Sequence, residues 1–135
     1  MDRDHQPRPH RFRPVVASIC ATLALTACQQ LVEPIPEPAT MEGIVLTYVE
    51  SDTNHEIRIQ RPTGPWSMEG CGLCDQAIIH LQPTTAYFTR RGEAVVEATA
   101  ADLEVGSAVL VWTTDAELRS LPPQYYGTQI IRVID

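Results

Sequence analysis

From residue 41 onward the chain runs in short apolar or alternating stretches separated by turn signals. "GIVLTYV" (43–49) is rich in β-branched and aromatic residues. "SDTN" (51–54) offers a turn. "HEIRIQ" (55–60) then alternates, with Ile57 and Ile59 on one face and Glu56, Arg58 and Gln60 on the other. Further strand-like runs are "AIIHL" (77–81), "TAYFT" (85–89), "AVVEA" (94–98), "SAVLVW" (107–112) and "TQIIRVI" (128–134). Between two of them lies "TAADLEVG" (99–106), where Thr99 and Asp102 form a capping box for one helical turn that ends near Gly106. No stretch carries the period of a long amphipathic helix. The pattern predicts an all-β domain over 41–135 with five to seven short strands and one short helical turn. A chain of this size closes more readily as a small barrel, complete or partly open, than as an open sandwich. Runs such as 107–112, apolar on both faces, suit a sheet curled round one core.

The N-terminal pattern differs. Residues 1–14 carry Arg3, Arg8, Arg11 and Arg13 against Asp2 and Asp4, and an apolar run of thirteen residues, "VVASICATLALTA", follows. A bilayer-spanning helix needs about 20, so this is the shape of a secretory signal, residues 1–27. Its end, "LTAC" (25–28), resembles the lipobox of bacterial lipoproteins. That resemblance implies cleavage before Cys28 and diacylglyceration of that cysteine, with two or three acyl chains in all, palmitate among them. Two chains suffice for stable anchoring in a membrane. Gln29 stands where aspartate would favour inner-membrane retention. The expected location is therefore the cell envelope: the periplasmic face of an outer membrane in a two-membrane host, otherwise the outer face of the plasma membrane. Residues 28–40 read as a proline-rich tether, because Pro34, Pro36 and Pro38 favour extended backbone. Positions 29–40 would reach roughly 37 Å at about 3.1 Å per residue.

Charge narrows the partners. The whole chain carries −7, and removal of residues 1–27, with four arginines and two aspartates, makes it −9; there is no lysine. Nucleic acid and anionic headgroups both require a basic footprint, so nucleic acid is not an expected partner.

"ADLEVGSAVLVW" (101–112), followed by "SLPPQYYGTQIIRVI" (120–134), resembles the YobA-like domain of unknown function found in bacterial lipoproteins. The positions that carry the likeness are Asp102, Leu103, Gly106, Val109, Val111, Trp112, Ser120, Pro122 and Gln124. It spans roughly 84–134 and implies an oligonucleotide/oligosaccharide-binding-like (OB-like) barrel, without an activity or ligand. Two departures stand out. Residues 61–75 look like an insertion, and Tyr125-Tyr126-Gly127 replaces small residues before the last strand.

The insertion contains "CGLC", and its Cys71 and Cys74 are the thiols left once the signal is removed and Cys28 is acylated. A redox centre would need an activated first cysteine, but Glu69 and Asp75 flank the pair and no βαβ pattern surrounds it. A structural zinc would need about four ligands, and only His55, His80 or Asp75 could complete the set. Covalent haem is excluded, since Asp75 occupies the position that must be histidine. The surroundings favour a disulfide that staples the loop, with Gly72 giving the ring its backbone freedom.

No nucleophile elbow, phosphate loop, paired-histidine zinc motif or calcium loop occurs. Catalytic residues, metal ligands and cofactors are accordingly not assigned. Trp66, Tyr125 and Tyr126 fall in predicted loops and are the candidate ligand contacts, suited to stacking on a glycan or anchoring an envelope protein. Otherwise they cover the barrel ends. Trp112 reads as core, and Arg90-Arg91-Gly92 as a hairpin tip with solvated charges. The expectation is a non-enzymatic, membrane-anchored binding or assembly module. The rival is a thiol-redox or metal-handling protein centred on Cys71 and Cys74.

Overall fold

A computed structural model describes residues 33–135. The signal sequence and Cys28 lie outside the described residues. The domain is all-β: β1 (Met41–Glu50), β2 (His55–Gln60), β3 (Gln76–Arg91), β4 (Ala94–Glu97), a 3-10 turn at Ala100–Asp102, β5 (Ala108–Leu118) and β6 (Gln124–Ile134).

Five strands close a barrel. β1 pairs antiparallel with β2, β2 with β3, β6 with β5 and β5 with β1, while β3 and β6 run parallel. β4 stands outside the ring as a hairpin arm on β3. A bulge between Val45 and Thr47 lets one strand serve two neighbours: residues 41–44 pair with β5, and 44–50 pair with β2. Alternation decides what lies inside. Val45, Ile57, Ile59, Ala77, Ile79, Leu81, Val109, Val111 and Ile130 fill the barrel, and Leu103 joins them from the 3-10 turn. That turn is held by the predicted box, with the Thr99 N–H donating to the Asp102 carboxylate at 2.8 Å.

Three element boundaries differ from the sequence pattern. The runs at 77–81 and 85–89 form one strand, β3, despite Pro83 between them. The ladder to β6 breaks register between Leu81 and Ala86, so the N–H that proline lacks is not needed there. Thr85, buried in the break, accepts from the Gln82 N–H and donates to the Gly127 carbonyl. β5 continues to Leu118, and β6 begins at Gln124, which puts Tyr125 and Tyr126 in a strand rather than a loop.

The two-faced apolar strands have a different cause from the one expected. Phe88, Trp112 and Ile131 are buried on the outer face of β3, β5 and β6, apart from the barrel interior, with Ala39 packed against them. The tether covers them. Its residues 35–40 lie along the barrel instead of standing free.

Candidate functional site

Two features that the sequence sets apart, the 61–75 loop and the 35–40 segment, flank one region of the barrel surface.

The loop is tied down at its base and within itself. The Arg61 N–H donates to the Asp75 carbonyl at 2.7 Å, joining the two ends. Ser67 accepts from the Gly64 N–H at 3.0 Å and donates its hydroxyl proton to the Asp75 carboxylate. Cys71 and Cys74 form a disulfide across a Cα–Cα distance of 5.4 Å, within the span such a bond permits. The glycine in the left-handed region is Gly70, at φ +78°, not Gly72 inside the ring. The reversal therefore comes just before the ring.

Arg61 continues the inward alternation of Ile57 and Ile59, which places a guanidinium at the mouth of an apolar barrel. It is 7% exposed. A buried charge calls for compensating partners; the loop and the first residue of β3 supply them to Nη2, while Nε has no hydrogen-bond partner among the described residues. Nη2 donates to the Cys74 carbonyl at 3.0 Å and to the Gln76 carbonyl at 3.5 Å. The Trp66 ring lies over the guanidinium carbon at 4.6 Å from its centroid, a cation–π contact. The disulfide thus holds a hydrogen-bond acceptor in place as well as closing a ring. Trp66 keeps 41% of its surface exposed, and Met68 and Leu73 on the same loop are exposed too.

The three candidate aromatic contacts do not form one surface. Tyr125 faces inward and is packed against the barrel core. Burial, chiefly, pushes its hydroxyl pKa up; neighbouring Glu117 adds to the rise and Arg61 opposes it. Tyr126, the next residue, points the other way onto the His80 ring at 5.5 Å between centroids. Arg61 thus links Trp66 and Tyr125, while Tyr126 belongs to a separate cluster. There His80 Nε2 lies 2.7 Å from the Gln124 side-chain oxygen and Nδ1 lies 3.6 Å from Glu56.

The 35–40 segment is held by four residues of the barrel. Gln129, 1% exposed on the outer face, accepts from the Ile35 N–H at 2.7 Å and donates to the Ile35 carbonyl at 3.3 Å. Trp112 Nε1 donates to the Pro36 carbonyl at 3.3 Å, and the Thr113 N–H donates to the Thr40 hydroxyl at 3.1 Å. Arg90 pairs with Glu37, so this arginine of the hairpin is not simply solvated. Sequence reading missed Arg61 and Gln129. The available signals were a charged residue in phase with two core isoleucines and a glutamine inside an aliphatic strand.

Between the segment and the loop lies an open groove. One part, about 440 Å³, is lined by Ile44, Pro62, Ala108, Leu110 and Val133 with Arg90. The adjoining part, about 450 Å³, reaches Trp66 on one side and Pro38–Thr40 on the other. Both volumes fall in the usual range for small-molecule sites, roughly 300–1,000 Å³. Among the described residues no group of three or more His, Cys, Asp or Glu is arranged to hold a metal ion.

Compared with known proteins, the chain matches no family model, no curated protein and no solved structure.

Proposed function

We propose that the chain is a bacterial lipoprotein of the YobA-like kind, acylated at Cys28 and carrying its barrel as a non-catalytic binding or assembly module in the cell envelope. The anchor rests on the sequence: a basic start, a short apolar run and "LTAC" before a proline-rich stretch. The observation that carries the binding role is the outer barrel face, where Gln129, Trp112 and Arg90 already hold residues 35–37 beside an open groove. A small closed barrel with its recognition groups on the outside suits binding without catalysis.

In this reading Cys71 and Cys74 are a structural staple, supported by the Cys74 carbonyl that accepts from buried Arg61. The partner is an envelope protein or glycan, and no cofactor takes part. The envelope placement follows the expectation above, at an outer membrane in a two-membrane host.

The first test is lipidation. Cys28→Ser is expected to abolish palmitate labelling and to leave the chain either unprocessed or released from the membrane fraction. A Cys28→Ser chain that is still matured and still enters the detergent phase would overturn the anchor. Crosslinking of the membrane-bound wild-type chain in intact cells tests the binding role. Recovery of the chain without any specific envelope adduct would argue against it.

A further inference from the structure

The contacts to residues 35–40 are of a portable kind. Gln129 engages the amide and the carbonyl of a single residue, Ile35, and so reads extended backbone rather than a side chain. Trp112 contributes an indole N–H to the next carbonyl, that of Pro36, while its ring forms an apolar floor with Phe88 and Ile131. Arg90 supplies a charge for the acid that follows. An indole donor to a proline carbonyl, with an amide that reads the backbone one residue before it, supplies recognition of a proline-containing segment that bends at Glu37. Gln129 is also an unusual investment. A glutamine almost wholly buried on the outside of a barrel has no role in the core, and without the segment its amide would face solvent beside an apolar patch.

We propose that the outer face of β3, β5 and β6 is a recognition face for proline-rich, acid-bearing peptide segments. Residues 35–40 are its resident occupant, and a segment of the same chemistry on another protein exchanges with them. This deepens the binding-module reading and rests on it. The partner's pattern follows from the contacts: an extended residue for Gln129, a proline carbonyl for Trp112, then a carboxylate for Arg90. A second copy is the less suitable donor. The chain from residue 28 carries −9, and two copies would repel each other.

The test uses the full-length chain in detergent with Trp66→Phe, so that Trp112 is the reporter, and a synthetic peptide, acetyl-EPIPEPAT-amide, which copies residues 33–40. Glu37→Arg, added to that chain, sets two like charges against each other at Arg90 and frees the face. The peptide is expected to shift Trp112 fluorescence saturably at a concentration at least tenfold lower in the Glu37→Arg chain than in its parent. A peptide with arginine in place of the second glutamate should be at least tenfold weaker. Equal response of both chains, or of both peptides, would reduce the face to a non-specific apolar patch and overturn the proposal. Should Glu37→Arg lower the melting temperature, Pro36→Gly with Pro38→Gly loosens the same segment through backbone entropy and takes its place. A folded chain of either kind that gives no response overturns the proposal but leaves the Cys28 anchor and the envelope crosslinks standing. Dimerisation of the Glu37→Arg chain without peptide, seen by sedimentation, would assign the face to a second copy and overturn exchange with another protein.

Discussion

Gly43 shows how one residue admits a strand crossing. A Cβ built there would lie 2.5 Å from the Gln60 carbonyl oxygen, a backbone atom that cannot step aside. β1 passes β2 at this point because the position has no side chain. Gly43→Ala should therefore destabilise the barrel by about 1–3 kcal/mol, the range for overpacking a filled site. Gly72→Ala meets nothing within 4 Å and requires no left-handed backbone, so it should stabilise by about 0.4–1 kcal/mol through the unfolded chain. Urea midpoints at unchanged slope would read both. Tyr48 provides a pH signature. Burial first, then its bond to Glu50, pushes its hydroxyl pKa up to about 12 from the ordinary 10. The folded chain therefore holds the proton more tightly than the unfolded chain. The associated stability is complete below pH 10 and is lost as pH rises from 10 through about 12. Tyrosinate absorbance, as the difference between wild type and Tyr48→Phe, should place this titration near 12, and a midpoint at 10 would refute the assignment.

At the scale of elements, the stapled loop separates local closure from tertiary hold. Entropy for a ring of four residues amounts to about 2 kcal/mol at most. Cys71→Ser with Cys74→Ser should thus lower stability by no more than about 2 kcal/mol and leave the barrel folded, because Arg61 still reaches two carbonyls and the core strands lie elsewhere. A denaturation curve with thiol counting on the parent decides it, and global unfolding of the double variant would show that the loop is part of the core. The strands themselves were largely legible. "HEIRIQ" has a clean period of two and occupies the expected residues. Thr99 and Asp102 lie three apart and make the expected turn. β3 was not legible as one strand, because Pro83 reads as a break unless the ladder partner is known to skip that position. Nor were Tyr125 and Tyr126 legible as strand residues. Their pairing with Glu117, Ile79 and His80 is a property of the closed sheet.

For the whole molecule, charge outweighs fold in one prediction. An OB-like barrel invites a nucleic-acid assignment, yet the chain from residue 28 carries −9 and no lysine. Phosphate contacts require cations whose counterions are released on binding. No micromolar binding to single-stranded DNA is expected at about 0.15 M salt, and a fluorescence-anisotropy titration that saturated in that range would show the charge argument to be wrong. The same view explains why two apolar faces do not make two cores. Closure of the barrel seals one face, and residues 35–40 seal the other.

What the sequence determined alone was whatever depends on near neighbours along the chain. Alternation placed the strands, since adjacent side chains on a strand point to opposite faces whatever the sheet does next. Composition set the charge, and the order of basic, apolar and small residues set the expectation of an anchor at Cys28. Tertiary structure decided what depends on distant partners. A tether and a docked strap share one proline pattern, and only the outer face carrying Gln129, 94 positions from Ile35, distinguishes them. Arg61 reads as a surface charge until the loop brings the Cys74 carbonyl and the Trp66 ring to it. The physical reason is the same in both cases. A polar group in an apolar setting is tolerated only through partners that its own segment does not contain.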